Sequence, residues 1–202
     1  MSPGRHTCDD AWGVPAPGAA DILVTRVMLH GLCGGVYRRF VDGMSLRGDE
    51  RVLDYGSGSG AAARHIAKRL RAGGGRLTCT DISPRWQRAL RRTLRRYQNV
   101  EYALGDVREL GLPEGSFDVV LVHWMLHDVP VADRPSVLAV LARLLRPGGR
   151  LFIREPAGPG EGAAAAVRSL LSGAGLSELR GVESSAFFLG PNYSGVWGRS
   201  ED

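Results

Sequence analysis

A chain of 202 residues with 44% hydrophobic and 23% charged residues suits one soluble domain with a sizeable core. No stretch approaches the roughly 20 apolar residues of a membrane helix, and the polar N-terminus is not followed by the apolar run of a signal peptide. Cys8, Cys33 and Cys79 are too scattered for a zinc site or a disulfide framework, so a reducing, cytoplasmic setting is expected; the formal charge of +5, almost all arginine with Lys68 the only lysine, permits nucleic acid as a partner without requiring it.

Residues 1–18 are rich in Pro, Gly and Ala and are expected to be mobile. From 19 to 44 the apolar residues Ile22, Val27, Leu29, Val36 and Phe40 recur at helical spacing, interrupted by Gly31, Gly34 and Gly35. Two short helices are expected there, forming a cover over 19–45 ahead of a core at 51–199. A regular alternation then begins. Strands are expected at 51–55, 76–82, 100–105, 117–123 and 150–154. Helices are expected at 61–71, at 84–97 with Pro84 at a first helical position, at 131–145, and at 163–172. Gly73-Gly74-Gly75 and Pro147-Gly148-Gly149 act as helix stops. Two β-like runs close the chain, near 177–189 and 193–198. Strands alternating with helices indicate βαβ units and an open α/β sheet in a single domain. Ligands in such sheets bind outside the carboxyl ends of the strands. The residues there are polar: Asp54, Asp81, Asp106, His123 and Glu155.

Gly56-Ser57-Gly58-Ser59-Gly60 joins the first core strand to the first core helix, where glycines let the backbone turn sharply and approach a ligand. With Ala61 it also satisfies the dinucleotide pattern Gly-x-Gly-x-x-Gly/Ala, so a nicotinamide enzyme stays open. Asp54 separates the two ligands. A pyrophosphate at the helix N-terminus would be repelled by a nearby carboxylate, whereas S-adenosylmethionine (SAM) brings an ammonium and a sulfonium that a carboxylate attracts. Asp81 lies about 20 residues beyond the turn, where an acid accepts hydrogen bonds from ribose hydroxyls. Ile82 follows it as a candidate for the adenine face, and Asp106 is a candidate acceptor for the adenine amino group.

Over 51–198 the chain resembles the class I SAM-dependent methyltransferases. The segments that carry the resemblance are 52–60, Thr80-Asp81-Ile82, Gly105-Asp106-Val107, Phe117-Asp118-Val119-Val120 and residues 145–151. The resemblance implies an α/β, Rossmann-like, seven-stranded and mostly parallel sheet flanked by helices. It implies the order 3-2-1-4-5-7-6 with the last strand antiparallel. It assigns Asp54, Gly56, Ser57, Gly58 and Gly60 to the methionine part of SAM, Asp81 to the ribose, and Asp106 and Val107 to the adenine. An aromatic in the covering helix often lies on SAM in this family, which singles out Tyr37.

Methyl transfer is an in-line displacement, so the enzyme must chiefly hold a nucleophile on the line through sulfur and methyl. A base helps when the nucleophile is a hydroxyl. The run Leu121–Val129 is similar to the Lys-Trp-x-Leu-His-Asp-Trp segment of the small-molecule O-methyltransferases, which implies His127 as the base and Glu155 as the acid that orients it. Val129 replaces the second tryptophan, and the dimerisation domain of those enzymes has no room before Arg51. A packed, hydrogen-bonded His127 therefore stays open beside the catalytic one. His123, at the strand end, is the second candidate base and a cofactor or substrate contact. The Asn/Asp-Pro-Pro-Tyr segment of nucleic-acid amino methyltransferases is absent, and the arginines of 84–97 read as a solvated helix face. A small aromatic or hydrophobic acceptor is expected, walled by Trp12, Met28, Tyr37, Phe40, Trp124 and Met125, with Asn192 and Tyr193 at the border. No metal is expected. A SAM-binding protein that transfers no methyl, and an RNA- or protein-modifying methyltransferase, remain as alternatives.

Overall fold

The computed structural model describes residues 17–158, 164–186 and 190–200. The expectation of mobility over 1–18 falls almost wholly outside these residues, as does Trp12. The first described segment is the helical cover. α1 (Ala19–Thr25) runs directly into a π-helical segment, Arg26–Leu32, and α2 (Gly34–Gly43) follows Cys33. The sequence predicts two short helices; the wide turn between them is the difference. The Cys33 N–H reaches back five residues to the Met28 carbonyl at 2.8 Å. Gly31, a weak helix former, lies inside this loosened stretch.

Seven strands follow: β1 (Arg51–Tyr55), β2 (Arg76–Asp81), β3 (Val100–Leu104), β4 (Phe117–His123), β5 (Leu145–Pro156), β6 (Leu176–Ala186) and β7 (Gly190–Arg199). They form one sheet of order β3-β2-β1-β4-β5-β7-β6. β7 is antiparallel to both neighbours and every other pairing is parallel. This is the Rossmann-like arrangement that the resemblance implies.

Both faces of the sheet are covered, which explains why β4 is almost wholly apolar. On one face Val52, Leu77, Val119, Leu121 and Phe152 pack with α2, α3 (Ala63–Leu70) and α4 (Pro84–Leu94). On the other, Leu53, Val120, Val122, Leu151 and Ile153 pack with α5 (Arg134–Leu144) and α6 (Ala164–Gly173). Ile66, Leu70, Leu90 and Leu94 have no exposed surface, and each such side chain contributes roughly 2 kcal/mol by leaving water. Ser83 caps α4 by accepting from the Trp86 N–H, with Pro84 next in the first turn. α4 stops at Leu94 rather than near 97, because Asn99 anchors the following turn by donating to the Ala67 carbonyl at 3.0 Å. Its Arg88, Arg92 and Arg95 are exposed, and Arg91 lies over the Tyr102 ring.

β5 departs most from expectation. It starts at Leu145, directly after α5, instead of at 150. Phe117 pairs with Leu145 and Val119 with Arg150, so the Pro147-Gly148-Gly149 stretch is a bulge in the ladder rather than a plain helix stop. A Cβ on Gly149 would stand 2.8 Å from the Arg146 carbonyl oxygen and 3.2 Å from that of Asp118, so the bulge requires glycine. Among the described residues no helix is long and apolar enough to cross a membrane.

Candidate active site

The carboxyl ends of β1, β2 and β4 open on a cavity of about 230 Å³ beneath the helical cover. Its floor is the turn after β1. Gly56 and Gly58 have φ of 70° and 50°, the left-handed region that side chains resist. The Gly56 and Ser57 N–H groups donate to the Thr80 carbonyl at 2.9 and 3.0 Å, which ties the turn to the end of β2. Met125 packs against Gly56 so closely that a Cβ there would lie 2.2 Å from the Met125 Cγ. Gly56→Ala is therefore expected to cost about 1–2 kcal/mol from the backbone alone, with displacement of Met125 added. Chemical denaturation checks it; an unchanged midpoint would refute the claim that the turn needs glycine.

Asp54 stands in the cavity wall, 3% exposed. Its Oδ2 is buried and has no hydrogen-bond partner. Burial, with a smaller contribution from Asp81, pushes the carboxyl up to about 7 against a lowering hydrogen bond from Ser57. A buried carboxyl without a counter-charge is a receptor for a cation.

Asp81 also lines the cavity. Its two oxygens accept from the Gly58 N–H at 2.8 Å and the Ser83 N–H at 2.9 Å. The carboxylate thus fixes the glycine turn and the start of α4 while facing the cavity. Ile82 is beside it. Asp106 and Val107 border a second, smaller cavity of about 10 Å³, which shares Gly56, Asp81, Ile82 and Met125 with the first. The sequence reading missed Arg108. Its guanidinium grips both Asp106 oxygens, at 3.1 and 2.6 Å, and extends to Asp133 at 2.7 Å. Asp106 is therefore part of an ion-pair network as well as a wall of that cavity.

The two histidines occupy different places. His123, the last residue of β4, lines the cavity with Tyr37, whose ring is 5.0 Å away; the Phe40 ring stands at 4.7 Å. Its Nε2 is buried and without a hydrogen-bond partner. Burial and the Arg154 charge hold its pKa near about 3, so the ring is neutral at physiological pH. His127 is not among the cavity residues. It lies in the short 3-10 turn Leu126–Asp128, its side chain 41% exposed, with Nδ1 2.8 Å from Glu155 Oε2. That hydrogen bond raises its pKa against the effect of burial.

Glu155 does more than orient His127. It is 2% exposed and accepts from the backbone N–H groups of Met125 and Leu126, both at 2.8 Å, and of His127 at 3.3 Å. One carboxylate thus satisfies the first donors of the turn after β4. Trp124, just before it, holds a left-handed φ of 55° and turns toward the cavity. Such strain in a bulky residue needs support, and Glu155 supplies it on the C-terminal side.

Of the expected wall residues, Tyr37, Trp124 and Met125 line the cavity, Phe40 backs His123, and Met28 is 43% exposed elsewhere on the cover. Trp86, read from sequence as part of an apolar helix face, is a cavity residue because Pro84 starts α4 immediately beyond Asp81. Asn192 and Tyr193 are fully buried instead of bordering the pocket. The Tyr193 hydroxyl donates to Glu178 and accepts from Trp197 Nε1. Among the described residues no group of three or more His, Cys, Asp or Glu side chains is placed to hold a metal ion.

The sequence profile of the methyltransferase domain family matches residues 53–153. The chain is 38% identical over 106 residues to the demethylmenaquinone methyltransferase of Tropheryma whipplei (strain Twist), covering 52% of this chain and 41% of that one. It is 32% identical over 124 residues to the ubiquinone/menaquinone biosynthesis C-methyltransferase UbiE of Psychromonas ingrahamii, covering 59% and 48%. The chain thus spans less than half the length of these curated relatives. A TehB-like SAM-dependent methyltransferase from Corynebacterium glutamicum superimposes with a TM-score of 0.70 at 19% identity, over 91% of this chain and all of that one.

Proposed function

The chain belongs to the class I SAM-dependent methyltransferases of the methyltransferase domain family, and we propose that it methylates a small acceptor at a hydroxyl oxygen beneath the helical cover, with His123 as the residue that holds that hydroxyl. Bound SAM supplies a methyl group already activated by its sulfonium charge. The residues present fit it. Asp54, buried and unpaired at Oδ2, matches the ammonium; Asp81 faces the cavity where ribose hydroxyls need an acceptor; Ile82, Asp106 and Val107 lie beyond Asp81, on the side that the family resemblance gives to the adenine.

The observation that carries the reading of His123 is its neutral ring on the cavity with a buried, unpartnered Nε2. With the ring proton on Nδ1, Nε2 can accept the hydrogen of a hydroxyl and fix the oxygen's direction of attack. His127 stays charged more readily because of Glu155, lies off the cavity, and holds the turn that presents Trp124 and Met125. The Psychromonas relative's name gives carbon as the acceptor atom. On a phenolic ring His123 would hold the hydroxyl in the same way, and the methyl group would go to a neighbouring carbon.

A labelled-methyl assay over a panel of small phenols and enols tests this. His123→Ala is expected to lower turnover about a hundredfold, within the range of general-base losses, with the affinity for S-adenosylhomocysteine (SAH) within about twofold. His127→Ala is expected to lose less than about tenfold. The reverse order would return the role of base to His127. Product NMR distinguishes methyl on oxygen from methyl on carbon.

A further inference from the structure

His123 and Arg154 are in-register partners on the adjacent parallel strands β4 and β5, so their side chains leave the same face of the sheet. Both meet Phe40 of the cover. The imidazole is 4.7 Å from its ring and the guanidinium 5.9 Å. Each carries a buried nitrogen with no hydrogen-bond partner: Nε2 of His123 and Nε of Arg154. The Arg154 side chain has no carboxylate within ion-pair distance among the described residues, whereas Arg146 and Arg168 are ion-paired. An arginine half withdrawn from water without an acid is uncommon.

The two nitrogens are complementary. Arginine only donates. The neutral His123 ring, with its proton on Nδ1, offers Nε2 as an acceptor. Arg154 itself is not a cavity residue, so a ligand would reach it past His123, toward Phe40; a donor and an acceptor there match a ligand with the opposite pair, an oxygen that accepts next to a hydroxyl that donates.

We propose that Arg154 sets acceptor specificity by binding a carboxylate, enolate or carbonyl oxygen adjacent to the hydroxyl held by His123. The substrate class is a small, flat molecule with vicinal hydroxyl and anionic or carbonyl oxygens. Phe40, Tyr37 and Trp124 supply flat apolar surfaces around that pair. The anionic oxygen would also neutralise the guanidinium and so make Nε2 of His123 a stronger acceptor. This rests on the methyl-transfer reading for the place of His123, but Arg154 has no part in holding SAM.

The test uses the full chain saturated with SAH, and salicylate and salicylamide as probes, followed by calorimetry. Salicylate is expected to bind at least about tenfold more tightly than its uncharged amide, a ratio worth one ion-paired hydrogen bond. The ratio should fall to near one in Arg154→Met and be partly kept in Arg154→Lys, with SAH affinity unchanged in both. Equal binding of the two probes to the wild type, no salicylate binding to the SAH-loaded protein, or a ratio that survives Arg154→Met would overturn the proposal. A wild type that fails to bind SAH would instead remove the methyl-transfer reading.

Discussion

Asp54→Asn is expected to weaken SAM binding about thirtyfold or more, the cost of losing a buried charge-assisted hydrogen bond. It should also abolish the pH dependence of that binding. In the free protein burial holds the Asp54 carboxyl up to about 7, and its Oδ2 has no partner. An arriving ammonium favours the ionised form, so binding must release a proton wherever Asp54 is still protonated. Wild-type affinity is therefore expected to fall about tenfold from about pH 8 to about pH 6, as linkage requires for a single group titrating near 7. Asparagine has no proton to release and should give a flat profile. The stability of the free protein carries the opposite sign. A carboxyl whose folded pKa is raised above its unfolded value makes the fold less stable as pH rises between the two, from the ordinary 3.8 to about 7. Asp54→Asn should gain relative stability across that window and hold the gain above it. Calorimetry across pH and chemical denaturation read the two effects. Unchanged SAM affinity in the variant would remove Asp54 from the cofactor site.

Glu155→Ala should destabilise the protein by about 3 kcal/mol, because it strips a buried acceptor from several donors at once. Three backbone N–H groups, of Met125, Leu126 and His127, lose their partner, and so does His127 Nδ1. Glu155→Gln keeps an acceptor oxygen but not the charge, and is expected to fall between. The loss also depends on pH. The folded His127 pKa is raised, chiefly by its hydrogen bond to Glu155, so the stabilisation from that pair is fully present below the unfolded value of about 6.5. It is lost as pH rises through the folded value. The gap between wild type and Glu155→Ala should accordingly be widest on the acidic side. A gap that does not change with pH would show that His127 contributes nothing through its charge.

The legible parts of the sequence were those set by local chemistry. β1 and β4 keep their expected limits because apolar runs bounded by turn residues admit few alternatives. The turn residues Gly56, Ser57, Gly58 and Ser59 and the acids Asp54 and Asp81 come together at one cavity because a parallel sheet brings its carboxyl ends to one edge, whereas Gly60 faces Leu90 of α4. What sequence could not convey was how neighbours share partners. Glu155 reads as one acid near a histidine, yet four donors converge on it across β5 and the turn after β4. Asp106 reads as an adenine contact, yet Arg108, two residues on, curls back to its carboxylate. His123 and His127 are four residues apart, and the sequence reading puts His127 first as the base and His123 second. The left-handed turn at Trp124 sends one to the cavity and the other to the rim, and nothing in a tryptophan codon announces a positive φ. Arg154 carried no motif at all; only its register with His123 gives it meaning.

Met125 closes the contact over Gly56 and stands between the larger and smaller cavities. The partition is thus a thioether on a chain of three freely turning bonds, the most adaptable of the apolar side chains. Rotamer exchange in a partly exposed side chain takes on the order of nanoseconds or less, whereas loop opening takes up to microseconds or longer. A ligand entering the larger cavity can therefore displace the Met125 side chain without waiting for the backbone. Its arrival rate is set by diffusion and by the charges at the mouth, and its residence time by how well Met125 repacks against it.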